Sequence, residues 1–222
     1  MWNTGELPTK LTWTILVLIP KGNGDYRGIN LFDALWKLID IIMDTRLTAA
    51  VQLQEFLHGF TARRGTSTAT IQAKLAQELA SVERDPLFLI FLDLRKAHDT
   101  IDRERALLTF EEYGMGPRMS RLLRNFWKQQ QVVARQQGFH GPAFPSDRGD
   151  IQGAPGACTR FNILGDNVVR NWLQATIPGP ANSTTMTVAR LLSLFYTDDG
   201  LIGARDKGWL QNALTVLVSI FR

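Results

Sequence analysis

Two adjacent carboxylates near the end of the chain are the residues best suited to chemistry. Asp198 and Asp199 follow an apolar run at residues 191–195 and precede a second apolar run that starts at Leu201. This pattern predicts two strands joined by a tight turn that carries both acids. Asp199 with Gly200 is also a common hairpin turn. The pair is therefore either a plain turn or a rigid mount for the hard oxygen ligands that Mg²⁺ prefers.

A second acidic strand decides between these alternatives. Residues 87–92 are a continuous apolar run that ends in Asp93, which is typical of a strand buried on both faces. If this strand lies beside the hairpin, Asp93, Asp198 and Asp199 form a cluster of three carboxylates. Like charges repel, so such a cluster is unfavourable unless a cation neutralises it. Two Mg²⁺ ions roughly 4 Å apart would do so, and the chemistry predicted is phosphoryl transfer.

Five motifs, taken in order, resemble those of reverse transcriptases. They are residues 19–29 (Ile-Pro-Lys at the start, Arg-Gly-Ile at the end), 58–69 (His-Gly-Phe, then Arg-Gly-Thr-Ser-Thr-Ala), 91–99 (Phe-Leu-Asp-Leu-Arg-Lys-Ala-His-Asp), 148–155 (Arg-Gly-Asp-Ile-Gln-Gly-Ala-Pro, with Phe-Asn at 161–162) and 196–199 (Tyr-Thr-Asp-Asp). One such match is weak, whereas five in the family's order at sensible spacing are specific. The pattern is more similar to the enzymes of non-LTR retrotransposons and group II introns than to the retroviral ones.

This resemblance implies an RNA-directed DNA polymerase that transfers deoxynucleotidyl groups to a primer 3′-hydroxyl. Asp93, Asp198 and Asp199 would be the catalytic metal ligands, with the main-chain carbonyl of Leu94 as a further ligand. The implied cofactor is a pair of Mg²⁺ ions, with Mn²⁺ as an alternative. The implied partners are an RNA template, a DNA primer and deoxynucleoside triphosphates.

Four further positions are expected to meet the nucleotide. Lys21 and Arg27 lie on or beside a Gly-rich loop, where cations would hold the triphosphate. Gln152 would contact the incoming nucleotide or the template, and its alternative role is that of a loop-stabilising amide. His98 stands where the family usually has Phe or Tyr, a position that resembles the ring under the sugar that rejects a 2′-hydroxyl. Because imidazole is smaller and polar, sugar selectivity is left open.

The charge distribution suggests a surface for nucleic acid. The formal net charge is +4, and no Asp or Glu occurs between residues 113 and 146. Cations recur in this stretch near helical spacing, at Arg118, Arg121, Arg124 and Lys128, with Phe126 and Trp127 beside them. This basic ridge either tracks a phosphate backbone or is an ordinary solvated helix face. The resemblance also implies that Gly59 and Phe60 support the template path.

Composition indicates which cellular compartment to expect for the protein and whether it spans a membrane. Cys158 is the single cysteine among 222 residues, so no intramolecular disulfide can form, and we expect a reducing, intracellular compartment. No apolar run approaches the roughly 20 residues needed to span a membrane, so no membrane partner is expected.

The pattern of strands and helices favours an α+β fold, which the resemblance sharpens to the fingers and palm of a right-hand polymerase, with a central antiparallel sheet flanked by helices. The fingers are expected at about 1–85 and 114–147, and the palm at about 86–113 and 148–222. Expected strands cover residues 11–19, 87–93, 132–136 and 143–145 and the hairpin after residue 191. Expected helices cover about 31–54, 66–82, 103–113, 117–130, 155–175 and from 208 onward, with loops at 21–28, 58–65 and 177–185. Leu35, Leu38, Ile42 and Leu47 are expected on or near one face of the first helix.

Two other functions remain open beside the polymerase. The chain ends at Arg222, in or just after the helix that follows the hairpin, so we expect a thumb to be absent and the element to be truncated. A catalytically inactive RNA-binding remnant is one alternative, although a remnant has no need of three retained acids. An RNA-dependent RNA polymerase is the other. It is disfavoured by Tyr-Thr-Asp-Asp at residues 196–199 and kept open by His98.

Overall fold

The computed structural model describes residues 1–22, 24–136, 138–150, 152–177 and 191–220, which divide into two compact units. The first unit contains Met1–Gln52 and Lys96–Ile163, and the second contains Leu53–Arg95 and Leu164–Arg222. No helix in the described ranges is long and apolar enough to cross a membrane. The loop expected at residues 177–185 lies outside the described residues, except for its first position.

The elements alternate irregularly along the chain. A short 3₁₀ helix (Thr9–Thr12) precedes β1 (Trp13–Pro20), β2 (Tyr26–Phe32), α1 (Ala34–Ala50), α2 (Thr66–Glu83), β3 (Phe88–Asp93), α3 (Arg103–Glu112), α4 (Pro117–Gln129), β4 (Gln131–Gln136), β5 (Phe139–Pro145), α5 (Ala157–Thr176), β6 (Leu191–Tyr196), β7 (Asp199–Ala204) and α6 (Lys207–Ile220). Most helices begin and end close to the predicted bounds, and the α+β class with helices flanking antiparallel-rich sheets is confirmed.

Several helices begin where the sequence carries a capping signal. Asp33 accepts a hydrogen bond from the Leu35 N–H at 2.8 Å, and Asp102 accepts one from the Arg105 N–H at 2.9 Å. These side chains satisfy donors that the first helical turn leaves unpaired. α4 begins instead with Pro117, whose missing N–H is not needed at the first helical position.

The first unit contains a four-stranded sheet in the order β2-β1-β4-β5, in which β1 and β4 run parallel and the other neighbours are antiparallel. The hairpin from β1 to β2 corrects the expectation of a long Gly-rich loop at residues 21–28. Arg27 lies in β2 opposite Ile19, so only residues 21–25 connect the strands. Gly28 weakens the strand pattern in the sequence, but the Leu16 side chain lies 2.8 Å from where its Cβ would be. Gly28, which the sequence suggests as part of a loop, thus lies in a strand and packs against the Leu16 side chain.

The core of the first unit lies against a face of α1 that differs from the predicted one. The buried residues of α1 are Trp36, Asp40, Met43 and Leu47. Trp36 stacks on Phe126 of α4 with ring centroids 3.8 Å apart and an interplanar angle of 8°. Of the predicted face only Leu47 is buried, whereas Leu35, Leu38 and Ile42 are exposed. The prediction failed because a buried Asp lies on the true face and leucines lie off it.

A buried ion cluster explains that aspartate. The Arg160 guanidinium donates to Asp150 at 2.6 Å and 3.1 Å and to Asp40 at 2.6 Å, and all three side chains are almost fully buried. Asp40 also accepts the Gly156 N–H at 2.9 Å. Burial alone would lower the pKa of Arg160, but Asp150 and Asp40 raise it above its ordinary value. The charges are therefore retained in the core because they compensate one another.

The second unit contains a three-stranded antiparallel sheet in the order β3-β7-β6. Its core joins residues from this sheet, α5, α6 and the segment before α2, namely Phe56, Leu57, Val169, Trp172, Phe195, Ile202, Ala204, Leu210, Ala213 and Leu217. β3 is an edge strand of this sheet, and Phe91 is 79% exposed. The expectation that β3 is buried on both faces was wrong, because an unbroken apolar run does not reveal which side chains alternate away from the core.

We expect Arg160→Met to lower the free energy of unfolding by about 3–5 kcal/mol, because it leaves two buried carboxylates without their cation. Chemical denaturation at pH 7 measures the loss. Arg118→Met, at an exposed position of the same charge, should change stability by no more than about 0.5 kcal/mol. Equal effects of the two substitutions would contradict the cluster's importance.

Candidate active site

The register of β3 against β7 brings two of the three expected acids opposite each other. Asp93 pairs with Asp199, and Leu92 pairs with Gly200. The ladder extends into the turn, where the Leu94 N–H donates to the Asp198 carbonyl at 3.2 Å. The backbones of all three acids, and that of Leu94, therefore lie at one end of a single sheet in the second unit.

Strand alternation places the acids on the face of the sheet opposite the core. Tyr196, Asp199 and Asp93 occupy neighbouring paired positions on β6, β7 and β3, and all three side chains are exposed. On the other face, Phe195 packs so closely over Gly200 that a Cβ there would lie 2.8 Å from the Phe195 ring. Gly200 is thus needed for packing within the strand.

The turn between the strands is formed by Thr197 and Asp198, not by Asp199 and Gly200 as the Asp-Gly pattern suggested. Thr197 has φ of +57°, a left-handed conformation that is unusual for a β-branched residue. Its hydroxyl donates to Asp198 Oδ1 at 2.7 Å. A residue held in such a conformation stores local strain, which other contacts must support.

The donor set matches a hard divalent cation in kind, since carboxylate and carbonyl oxygens are the ligands of Mg²⁺. The side chains of the three acids, however, do not already form a metal-binding cluster. Among the residues that the structure describes, no three His, Cys, Asp or Glu side chains lie close enough together to hold a metal ion. Asp198 in particular has its carboxylate bonded to the Thr197 hydroxyl. The three acids therefore fit a metal in chemistry and in backbone position.

Gly59 and Phe60 lie beside this turn. A Cβ on Gly59 would approach the Thr197 nitrogen to 2.6 Å, so only glycine allows the two backbones to lie so close. Phe60 follows with φ of +49° and is 59% exposed. An exposed aromatic ring in a strained conformation is compatible with the expected role on the template path, which stays a prediction.

His98 belongs to the first unit and is held from two sides. Its ring stacks on Phe161 with centroids 4.2 Å apart and an interplanar angle of 22°. Its carbonyl accepts the Asp150 N–H at 3.0 Å. The buried Nδ1 has no hydrogen-bond partner within the described part of the chain. Two of the expected motifs, residues 91–99 and 148–155, thus contact each other through His98.

A second buried arginine fixes the same segment. Arg103 donates to the carbonyls of Gly149 at 2.9 Å and Trp127 at 3.0 Å, to the Gln130 side chain at 2.9 Å, and to Ser146. Burial lowers the pKa of Arg103 to about 10, although Asp150 and Asp147 act in the opposite direction. Gly149 has φ of +81°, and a Cβ there would lie 2.8 Å from the His98 carbonyl. In the Arg148-Gly149 part of the motif, the Gly149 backbone therefore packs directly against the backbone at His98.

The other expected nucleotide contacts also lie in the first unit. The Gln152 carbonyl accepts the Asn30 N–H at 2.9 Å, and Gly153, with φ of +107°, has no room for a Cβ, which would lie 2.4 Å from the Asn30 oxygen. These contacts hold the Gln152 backbone against β2. Lys21 and Arg27 are exposed at the end of the β1–β2 hairpin.

One of the four cations in the basic ridge on α4 forms an ion pair with a neighbouring helix. Arg118, Arg121 and Lys128 are exposed, but Arg124 forms an ion pair with Glu104 at 3.2 Å. Phe126 and Trp127, which were expected beside this ridge, are buried in the core of the first unit. Both rings lie just before Lys128 in the sequence, but their side chains are buried while that of Lys128 is exposed.

Two groups of polar residues were missed from the sequence. One is the Arg160, Asp150 and Asp40 cluster, whose signal is an Asp at helical spacing from Trp36 and Met43 on α1. The other is His58, which is buried in the second unit against α2. It carried no spacing signal, because its partners Thr68 and Gln72 lie on a later helix.

Known proteins share both the sequence pattern and the fold. The Retrovirus-related Pol polyprotein from the type-1 retrotransposable element R2 of Popillia japonica is 26% identical over 229 residues, which is 98% of this chain and 31% of that protein. The chain thus spans about a third of that relative's length.

Solved telomerase structures share the fold. A truncated apo telomerase from Candida tropicalis has a TM-score of 0.67 at 12% identity and covers 96% of this chain and 47% of its own. A telomerase from Candida albicans, in complex with a TWJ fragment of telomeric RNA, has a TM-score of 0.62 at 14% identity and covers 97% of this chain and 41% of its own. A family described as reverse transcriptase (RNA-dependent DNA polymerase) matches residues 19–222, and the chain therefore belongs to the reverse transcriptase family.

Proposed function

We propose that this chain is the polymerase core of a retroelement protein, which extends a DNA primer on an RNA template with deoxynucleoside triphosphates. The observation that carries the proposal is the pairing of Asp93 with Asp199 beside Asp198 at one sheet end, in a member of the reverse transcriptase family. A sheet end with three acids is costly to maintain for binding RNA, because the template itself is negatively charged.

In this proposal Asp93, Asp198 and Asp199 hold two Mg²⁺ ions, with the Leu94 carbonyl as an additional ligand. The bound ions would activate the primer hydroxyl and stabilise the charge on the leaving phosphate. The protein residues contribute position. The β3–β7 ladder fixes the spacing of Asp93 and Asp199, and the Leu94 N–H fixes the turn that carries Asp198.

Residues of the first unit are assigned to the nucleotide. Lys21 and Arg27 bind the triphosphate, and the guanidinium of Arg27 offers a bidentate fork for phosphate oxygens. Gln152 contacts the nucleotide or the template. His98 packs under the sugar, and its stacking on Phe161 keeps the ring in one orientation.

The nucleic-acid contacts are assigned to the exposed cations of α4 and to the loop before α2. Arg118, Arg121 and Lys128 bind backbone phosphates, with Arg124 contributing when its pair with Glu104 opens. Gly59 and Phe60 guide the template. In the right-hand description, residues 1–85 and 114–147 form the fingers, and residues 86–113 and 148–222 form the palm.

Primer extension on an RNA template tests the proposal. With Mg²⁺ and deoxynucleotides the chain should add nucleotides, and Asp199→Asn should reduce the rate by about 100-fold or more, because metal stabilisation supplies several kcal/mol. Glu78→Gln, an exposed neutralisation on α2, is the matched control and should retain the rate. RNA binding without extension would instead support the inactive remnant, and extension with ribonucleotides alone would support an RNA polymerase.

The paired acids also predict a measurable conflict between stability and metal binding. Like charges directly opposite in a sheet destabilise it, so Asp199→Asn should raise the free energy of unfolding in metal-free buffer by up to ~1 kcal/mol. The same substitution should abolish the rise in Tm that Mn²⁺ or Mg²⁺ produces in the unmodified chain. Thermal unfolding with and without metal measures both. A larger metal-induced rise in the variant would refute this assignment.

The His98 assignment predicts a change in sugar selectivity. His98→Phe puts a larger, apolar ring where a 2′-hydroxyl would lie, so preference for deoxynucleotides over ribonucleotides should increase by roughly tenfold. The ratio of kcat/KM for the two substrates measures it. His140→Phe, on exposed strand β5, serves as the control. An unchanged ratio in His98→Phe would place sugar discrimination at another residue.

A further inference from the structure

His58 is buried without a catalytic assignment. Its side chain is 1% exposed, and both ring nitrogens are occupied. Nδ1 lies 2.9 Å from the Thr68 hydroxyl and Nε2 lies 3.2 Å from Gln72 Oε1, both on the first turns of α2. Burial lowers the pKa of His58, as does the Arg64 charge, although the bond to Gln72 opposes them. The imidazole therefore links the loop before α2 to the helix itself.

The backbone of the same segment extends the sheet that carries the acids. The Phe195 N–H donates to the Phe56 carbonyl at 2.8 Å, and the His58 N–H donates to the Phe195 carbonyl at 2.8 Å. Leu57 and Phe195 thereby form a parallel bridge along β6. Phe195 is separated from Asp198 by only two residues. The backbone of His58 is thus hydrogen-bonded directly to the strand that precedes the turn.

Contact continues from the strand to the turn itself. Gly59 lies against the Thr197 nitrogen, with 2.6 Å between that atom and the place where a Cβ would be. Thr197 is the turn residue with φ of +57°, and it precedes Asp198. A strained turn persists only where its surroundings determine it. Gly59 is part of those surroundings.

The loop is also closed from its other end. The Arg64 guanidinium donates to the carbonyls of Gln54 at 2.7 Å and Leu57 at 3.1 Å. The Thr68 hydroxyl, besides contacting His58, bonds to both the N–H and the carbonyl of Gly65. These bonds tie the two ends of the segment from Gln54 to Thr68 to its own backbone.

We propose that His58 is a positioning residue that, through the Phe56–Gly59 backbone, holds the Thr197–Asp198 turn and so the carboxylates beside it. His58 touches neither substrate nor metal in this role. The inference rests on the proposed polymerase function for its kinetic consequence, but the support itself is a property of the second unit. A shift of about 1 Å at a reacting group can reduce a rate by about 100-fold.

The sharpest test compares two glycines of the same loop. Gly59→Ala forces a Cβ against the Thr197 nitrogen, so kcat for primer extension should fall by roughly 10- to 100-fold, while KM for the nucleotide and Kd for primer–template change less than about twofold. Gly65→Ala is the matched control, because no atom lies within 4 Å of its Cβ position and its φ is −172°. An unaffected kcat in Gly59→Ala would overturn the proposal. A loss confined to primer–template binding would assign this loop to the template instead.

The histidine is tested by a graded series. His58→Leu removes both hydrogen bonds and should lower kcat in the same way, whereas His58→Gln retains an amide that can reach Gln72 and should recover part of the loss. Unfolding curves must show that both variants are folded at the assay temperature. Equal rates in His58→Leu and the unmodified chain would refute a positioning role.

Hydrogen exchange gives a readout that does not depend on activity. In His58→Leu the amides of residues 194–198 should exchange faster than in the unmodified chain, while those of α3 should not. If the unmodified chain fails to extend primers but this acceleration is seen, the positioning inference stands and the proposed function fails. If exchange at residues 194–198 is unchanged, the positioning inference fails whatever the activity.

Discussion

The pairing of Asp93 with Asp199 is the constraint on which the second unit depends. Two like charges occupy opposite positions on neighbouring strands, which opposes strand pairing. The pairing is held because the other face of the sheet buries Phe195 of β6 and Ile202 of β7 in the core, and a one-residue slip would move those side chains out. The apolar face thus imposes a register that places Asp93 and Asp199 opposite each other, although their like charges alone would oppose it.

In the first unit, two buried arginines provide hydrogen bonds to buried carboxylates and carbonyls. Arg160 forms ion pairs with two buried carboxylates, and Arg103 donates hydrogen bonds to four residues, of which Ser146 and Gly149 lie just before Asp150. A planar guanidinium with five donors in a fixed fork can satisfy several acceptors at once, and the ammonium of lysine cannot match that geometry. Such a cluster adds less to stability than an apolar core of the same volume would, but breaking it is costly. The hydrogen bonds of Arg160 and Arg103 hold Asp150 and Gly149 beside His98.

Local sequence signals predicted where the helices and strands lie better than which of their faces are buried. The bounds expected for α2 to α5 lie close to the observed ones, and the two apolar runs correctly indicated the hairpin of β6 and β7. The errors have a common origin. Leucines on α1 suggested the wrong face, Gly28 suggested a loop where β2 pairs with β1, and the apolar run of β3 suggested burial on both faces although Phe91 is exposed. Each of these features depends on a neighbour distant in sequence, which composition does not reveal.

The sequence by itself determined the family and the α+β class, and it indicated Asp93, Asp198 and Asp199 as candidate site residues, because residue type and local order are what motifs record. Tertiary structure alone decided which acid lies opposite which, that Thr197 and Asp198 form the turn, that Phe126 and Trp127 are core residues, and that Gly59 lies against Thr197. The physical reason is that strand register, burial and close backbone approach arise between segments far apart in the chain, where packing against a partner decides among local alternatives.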